Sequence, residues 1–218
     1  MHRFFLFLLL AYPSCAVSEE IFSIVAPPQV KQLPEIETLI QEAYNSIDVQ
    51  AKIIYLPAKR SLREAAKDTW VDAELVRVKA AEEVLTNYIR IPTPIAEMAI
   101  GLYGVNSEPK ASTYAELGKK RVATLNGLVG LERNLERSGA YVQTVASIEI
   151  AFNRLERGLI DYVLLPNILA RDFLQTSEFH SFKMSPVFGR EKLFHFVHKR
   201  HASIIPRIDN ALKHVFNR

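Results

Sequence analysis

The sequence contains a single cysteine, Cys15, in 218 residues. Cys15 lies in an amino-terminal segment that we expect to be removed from the mature protein. A mature chain without a thiol excludes disulfide bonds, cysteine nucleophiles and cysteine metal sites. We therefore expect the fold to depend on burial of apolar side chains, for which a chain of roughly 200 residues is long enough.

Excess charge and long apolar runs are also lacking. The formal net charge is +3, which is too small to indicate nucleic acid as a partner. The locally basic segment 199–207 is interpreted as a solvated surface. Beyond the amino terminus no apolar run reaches the length of a membrane span, so we expect a soluble protein without stable membrane insertion.

Motifs for catalysis and metal binding are not found. The sequence has no nucleophile elbow, phosphate-binding loop or HExxH helix. The spacing of His195, His198 and His201 would suit a metal site on a helix. Their segment instead predicts a strand, which sends the first two to opposite faces. We predict no metal and no other cofactor, and we expect a binding protein rather than an enzyme.

The amino terminus has the pattern of a secretory signal peptide. Arg3 precedes an apolar run over residues 4–11, and small residues near Ser18 suit cleavage at that point. The run is too short to span a bilayer, and a first buried strand is the alternative. We predict a signal peptide over residues 1–18 and a periplasmic protein.

Apolar periodicity predicts a strictly alternating order of strands and helices in the first half. Patterns of period 2 and 3.6 distinguish the two kinds of element. In chain order the predicted segments are strand 21–28, helix 33–47, strand 49–57, helix 58–68 and strand 71–78. Such a run implies parallel strands joined by right-handed crossovers.

The second half repeats this scheme after a proline-containing segment, 91–112, that we expect to cross between lobes. The predicted segments are strand 121–125, helix 127–139, strand 141–145, helix 147–158, strand 161–166 and helix 167–175. Ser147 suits a helix N-cap, and Gly158 suits a helix end. In both halves an apolar strand begins at an aspartate, Asp72 or Asp161, which we interpret as a structural cap. The repetition predicts two similar α/β lobes.

The order of these elements resembles that of the extracellular solute-binding proteins of family 3, which have the type II periplasmic binding protein fold. The resemblance runs from about residue 21 to residue 217, and its best matches are "LGKKRVATLNG", "SIEIAFNRLERGLIDYVLLPN" and "SPVFGREKLFHFVHKRHASIIPRIDNALKHV". It implies an α/β protein of two lobes, each a mostly parallel sheet flanked by helices. Ligand would be trapped as the lobes close about a hinge.

The resemblance also implies where the lobes begin and end. Lobe one would comprise residues 19–96 plus 191–218, with lobe two, residues 97–190, inserted between them. The hinge would consist of two crossing segments, "AEMAIGLYG" and "FGREKLFHF". The monomer is the expected state for this family.

The sequence departs from the amino acid receptors of this family at three points. Pro166 stands where they carry an aspartate for the amino group of the ligand, and Leu128 stands where a hydroxyl residue follows Gly127. Segment 79–85, "KAAEEVL", replaces their Thr-x-x-Arg motif. We therefore do not expect a standard α-amino acid as the ligand.

Candidate ligand residues in lobe one follow from the expected cleft at the carboxyl ends of the strands. Arg77 and Arg60 could each bind an anion through two hydrogen bonds. Arg77 has the alternative of a surface ion pair with Glu74 or Glu82, and Glu74 of the same strand is itself a candidate ligand residue. Tyr55 could stack on a ligand or pack in the core.

Candidate residues in lobe two lie at the starts of helices. Backbone N–H groups at Gly127 and Leu128 could receive an anion, and a tight turn explains the glycine as well. Ser147 and Asn167 begin two further helices, where a role in capping is the alternative.

Three functions remain open from the sequence. The first is capture of a small polar or anionic solute for an ABC-type transporter. The second is a ligand-sensing partner of a membrane sensor kinase, or a relative whose cleft no longer binds. The third is a periplasmic dehydratase-like enzyme, in which Glu74 would be the acid/base residue.

Overall fold

The computed structural model of the protein describes residues 21–176, 181–185 and 188–216. The predicted signal peptide over residues 1–18, with Cys15, lies outside these described residues. Among the helices that are described, none is both long and apolar enough to cross a bilayer.

Nine strands form one continuous sheet in the described part of the chain. They are β1 (Phe22–Ala26), β2 (Ala51–Tyr55), β3 (Ala73–Val78), β4 (Tyr88–Val105), β5 (Arg121–Leu125), β6 (Tyr141–Val145), β7 (Tyr162–Pro166), β8 (Phe182–Met184) and β9 (Gly189–His198). Their order across the sheet is β2-β1-β3-β9-β4-β7-β5-β6, and β8 pairs with β4. The strands predicted from the sequence are confirmed.

The helices connect these strands in the alternating order that the sequence predicts. They are α1 (Pro34–Asn45), α2 (Ala58–Ala66), α3 (Tyr114–Leu117), α4 (Val129–Ser138), α5 (Ile148–Glu156), α6 (Asn167–Thr176) and α7 (Ile205–Phe216). Ser147 caps α5 as predicted, because its Oγ accepts a hydrogen bond from Ile150 N at 3.4 Å. Gly158, just beyond the same helix, has a φ of +66°, which a glycine adopts without strain.

The directions of the strands divide the sheet into two lobes. β1, β2 and β3 are mutually parallel, and so are β5, β6 and β7. β9 is antiparallel to both β3 and β4, and β4 is antiparallel to β7. The two parallel sets therefore run towards each other, and their carboxyl ends face across a cleft. The predicted lobe boundaries, 96/97 and 190/191, fall inside β4 and β9 and stay a prediction.

Helices cover both faces of each lobe. In the first lobe α1 and α7 pack on one face and α2 on the other, and in the second lobe α5 and α6 pack on one face and α4 on the other. Leu33, next to α1, lines the same cavity as Ile168 of α6, so these helices share a face. We call this side the α1/α6 face and the opposite side the α2/α4 face. Burial of the apolar side chains between helix and sheet is the main stabilising term.

The same hydrogen-bonded pair occurs at the outer end of each lobe. Asp72 N donates to Ser23 O at 2.9 Å, and Asp72 Oδ2 accepts from Ser23 N at 2.8 Å. In the second lobe Asp161 N donates to Arg121 O at 2.8 Å, and Asp161 Oδ2 accepts from Arg121 N at 2.7 Å. The predicted structural role of both aspartates is confirmed.

The two aspartates are expected to differ in their contribution to stability. Asp72 also binds Arg200 Nη2 at 2.8 Å and His201 Nε2 at 2.7 Å, whereas Asp161 is more exposed and binds Arg121. Since buried charge-assisted hydrogen bonds count for more, Asp72→Ala should lower the free energy of unfolding by about 3 kcal/mol and Asp161→Ala by about 1 kcal/mol. Urea denaturation measures both values, and equal losses would contradict this assignment.

His195 is fully buried on the α1/α6 face, where it joins α1 to the sheet. Leu75 O lies 3.0 Å from Nδ1 and can only accept, so Nδ1 carries the proton. Nε2 then accepts from the hydroxyl of Tyr44 at 2.8 Å. Burial lowers the pKa of His195 from its usual 6.5 to about 4.

The histidines of this segment have separate partners. His198 pairs with Asp68 on the α2/α4 side of β9, and His201 binds Asp72. His195 and His198 therefore lie on opposite faces of the strand, as predicted.

The buried His195 predicts a pH dependence of stability. As the pH falls from 6.5 to 4, unfolded His195 binds a proton before folded His195 does. The free energy of unfolding should therefore be highest above pH 6.5, where His195 is neutral in both states. It should decline by up to about 3 kcal/mol towards pH 4.

Urea denaturation across this pH range tests the prediction. The decline should become smaller in His195→Gln and persist in His214→Gln, which changes an exposed histidine of α7. An unchanged decline in His195→Gln would show that other groups cause it.

Candidate functional site

The cleft between the lobes is closed by direct contact on the α2/α4 face. A Cβ added to Gly127, which has a φ of +90°, would lie 3.1 Å from Lys59 N at the start of α2. A Cβ added to Gly130 would lie 3.0 Å from a methyl group of Val78. At both positions the two lobes touch, and a larger side chain would force them apart.

Arg77 and Glu74 form a buried ion pair in the first lobe, and both were predicted as ligand residues. Arg77 Nη2 lies 2.8 Å from Glu74 Oε1 and donates to Ser61 Oγ at 2.9 Å and to Ala58 O at 3.1 Å. The side chain of Arg77 is 9% exposed and that of Glu74 is 0% exposed. The pairing with Glu74 was foreseen as an alternative, but at the surface rather than in the interior.

Glu74 does not lie at the cleft end of its strand. It is the second residue of β3, and Ser61 Oγ hydrogen-bonds to the same Oε1 that binds Arg77. The sequence interpretation placed this carboxylate at the top of the strand, whereas the carboxyl end of β3 is at Val78. Its enclosure by α2 follows from tertiary packing, which the pattern does not contain.

The N–H group of Gly127, another predicted ligand group, already has a carboxylate partner. Gly127 N donates to Glu132 Oε1 at 2.8 Å. Glu132 belongs to the first turn of α4, and Leu128 is the N-cap residue of that helix. A negative charge at this point is favoured by the helix dipole.

On the α1/α6 face the lobes are separated by a cavity of about 510 Å³. Its walls come from the hinge strands, from the segment before α1 and from α6. The lining residues are Leu33, Glu97, Met98, Ala99, Tyr103, Asn167, Ile168, Arg171, Leu174, Gln175, Met184 and Leu193. Of the eight residues predicted from the sequence, Asn167 is the one found in this set.

Buried Tyr103 and half-buried Asn167 are the polar pair of the cavity. The hydroxyl of Tyr103 donates to Asn167 Oδ1 at 3.3 Å. Burial raises the pKa of Tyr103 to about 12, so the phenol remains a neutral donor at physiological pH. Asn167 also packs on Gly101 of β4, where an added Cβ would lie 2.3 Å from Asn167 Oδ1.

The other predicted residues lie away from the cavity lining. Tyr55 packs against the core of the first lobe with Lys31 Nζ 4.4 Å from its ring centre. Arg60 is exposed on the first turn of α2, and Ser147 is the N-cap of α5. Their roles in ligand binding stay predictions.

Sequence reasoning missed most of the cavity, including Tyr103, Met98 and Arg171. A partial signal was present, because Arg171 follows Asn167 by four residues and so lies on the same side of α6. Tyr103 and Met98 lie in the segment already predicted to cross between the lobes. Their side-chain directions depend on the register of β4, which the sequence alone does not fix.

The two lobes, their opposed strands and the two connecting strands define the fold of the type II periplasmic solute-binding proteins. Solved structures with this fold include holo ArgBP from T. maritima, with 18% identity over 89% of this chain and 90% of that chain and a TM-score of 0.64. The GluR0 ligand-binding core in complex with L-glutamate has 11% identity over 90% of this chain and 91% of that chain, with a TM-score of 0.70.

A third similar structure is the substrate-binding protein of an amino acid ABC transporter, with 14% identity over 90% of this chain and 93% of that chain and a TM-score of 0.63. No family model matches the chain, and no curated protein matches its sequence. The likeness therefore lies in the fold.

Two glycines of the hinge strands provide a matched test of the cavity. Gly101→Ala would place its Cβ against Asn167 and Met184, whereas a Cβ at Gly189 meets no atom within 4 Å. Gly101→Ala should therefore displace the Asn167 side chain and cost about 1–3 kcal/mol of stability. Gly189→Ala should stay within about 0.5 kcal/mol of the parent protein. Thermal unfolding of both variants measures this, and equal effects would contradict the close packing of Asn167 on Gly101.

Proposed function

We propose that the protein is a periplasmic solute-binding protein that captures a small solute between its two lobes and passes it to an ABC-type transporter. The observation that carries this proposal is the cavity of about 510 Å³ between lobes that are joined by two strands. This volume lies within the range of roughly 300–1,000 Å³ that is usual for small-molecule sites.

The position of the cavity supports the same function. It lies where the carboxyl ends of the two parallel sets of strands approach each other, which is the usual place of ligands in α/β sheets. Its walls belong to both lobes, so a bound molecule would contact both and favour the closed arrangement. The solved neighbours that are named as binding proteins have the same arrangement of lobes.

For the solute we propose a small polar or anionic molecule rather than a standard α-amino acid. Pro166 and Leu128 lack the polar groups that the amino acid receptors of family 3 carry at these positions. The enzyme alternative has less support, because Glu74 is enclosed by Ser61 and Arg77 and is 0% exposed. A sensory role would use the same cleft, and a neighbouring gene for a sensor kinase rather than for a permease and an ATPase would favour it.

A thermal-shift screen tests solute binding directly. The panel contains amino acids, di- and tricarboxylates, small cyclic acids, sugars, polyamines and small neutral amides. A solute at about 100 times its dissociation constant adds about 2.7 kcal/mol to the stability of the folded state. No shift with any compound would contradict the proposed capture of small solutes.

For a compound that binds, Asn167→Ala should weaken binding by about tenfold, because it removes a polar group from the cavity wall. Asn153→Ala is the matched control, since Asn153 is exposed on α5 and its side chain does not reach the cavity. Isothermal titration calorimetry gives both affinities. Equal affinities in the two variants would place the solute elsewhere.

A further inference from the structure

Two groups near this cleft that the sequence predicted to bind an anion are each bound by a carboxylate of the chain itself. The guanidinium of Arg77 pairs with Glu74 at 2.8 Å, and Gly127 N donates to Glu132 at 2.8 Å. The first pair lies in the first lobe and the second at the start of α4 in the second lobe. Each of these two predicted anion-binding groups therefore already has a carboxylate partner within the chain.

Displacement of Glu74 by a ligand is strongly disfavoured. Glu74 is 0% exposed, so a ligand carboxylate that took its place at Arg77 would leave the Glu74 charge buried without its cationic partner. Breaking a buried pair in this way costs far more than an exposed pair contributes. Arg77 is thus a structural partner of Glu74 and Ser61 and not a clamp for a solute.

Glu132 acts in the same way at the start of α4. Its carboxylate takes the place that an anion would occupy at the N–H group of Gly127, and Gly127 itself is pressed against Lys59 of the other lobe. A ligand anion would have to displace a carboxylate that is tethered to the same helix. The tether gives Glu132 the advantage of a high effective concentration.

The open cavity on the α1/α6 face has a different chemistry. Its inner wall is formed mainly by apolar side chains, including Leu33, Met98, Ile168 and Leu193. Its charged lining residues are one anion, Glu97, which pairs with Arg190 at 2.9 Å, and one cation, Arg171. Arg171 is exposed, and an ion pair with an exposed side chain contributes little to binding. Tyr103 and Asn167 add neutral hydrogen-bonding groups at the inner wall.

From these observations we propose that the solute carries no carboxylate and is an uncharged molecule with an apolar or aromatic body and a neutral hydrogen-bonding group. The apolar body occupies the wall formed by the methionine, leucine and isoleucine side chains. The neutral polar group binds at Asn167 and Tyr103. This inference rests on the proposed function and narrows its solute class from polar or anionic to polar and uncharged.

Three probes that share a phenyl body test the solute class on the full purified chain by calorimetry. They are 3-phenylpropanamide, which is neutral, 3-phenylpropanoate, which is an anion, and L-phenylalanine, which is a zwitterion. The neutral amide should bind at least about tenfold more tightly than either of the others, because the mainly apolar inner wall of the cavity would desolvate a charged group. Equal or tighter binding of the anion or the zwitterion overturns the inference, and so does the absence of binding by all three.

A second experiment tests the internal carboxylate at Gly127. Glu132→Ala should unfold at a lower temperature than the parent protein, and acetate should restore part of the loss where chloride at equal ionic strength does not. Glu132→Gln keeps an acceptor for Gly127 N, and Glu136→Ala changes an exposed carboxylate further along α4. Neither control should respond to acetate. A response of the parent protein equal to that of Glu132→Ala, or no response of Glu132→Ala, overturns the assignment.

Failure of this inference is distinguishable from failure of the proposed function. A sugar, polyamine or carboxylate that binds in the thermal-shift screen, with no binding of the neutral amide, leaves solute capture intact and overturns the solute class. A panel in which no compound binds overturns solute capture itself.

Discussion

The antiparallel pairing of β4 with β9 joins the two lobes and fixes the direction of every other strand. The two strands run antiparallel from Tyr88 and His198 in the first lobe to Ile100 and Gly189 at the second. The ladder is irregular around Pro94, which has no N–H group to donate. There Asp209 of α7 accepts a hydrogen bond from Thr93 N at 3.0 Å. This bond gives the N–H group of Thr93 the partner that the neighbouring strand does not provide. β7 runs antiparallel to β4, and β9 runs antiparallel to both β3 and β4. The carboxyl ends of the parallel strands in both lobes therefore face the same cleft.

Carboxylates of the chain determine what the cleft offers to a solute. At the outer ends of the lobes Asp72 and Asp161 fix neighbouring strands through the same pair of backbone contacts. Near the cleft Glu74 forms an ion pair with Arg77, and Glu132 accepts a hydrogen bond from Gly127 N. On the α2/α4 face the lobes are therefore in contact, and both predicted anion-binding groups already have carboxylate partners. On the α1/α6 face an apolar cavity with a neutral polar pair lies between the lobes. The asymmetry between the two faces is the basis of the proposed solute class.

The sequence predicted the fold well because the fold depends on local patterns and their order. The apolar alternation of segments 121–125 and 141–145 and the N-cap at Ser147 are properties of short segments, and the structure confirms them. The repeated aspartate before a strand was also visible as a pattern. The cavity was not, because its walls combine Leu33, Tyr103 and α6, which are distant in sequence. Arg77 shows the same limit, since Ser61, which helps to bury it, comes from a neighbouring helix whose packing no periodicity encodes.

Hydrogen exchange monitored by mass spectrometry, with and without a solute that the screen identifies, shows whether the solute lies in the cavity on the α1/α6 face. We expect slower exchange in segments 97–104 and 167–175 when the solute is bound, and unchanged exchange in segment 126–132. Slower exchange in segment 126–132, with no change in segment 167–175, would contradict this expectation and would return the binding site to the start of α4.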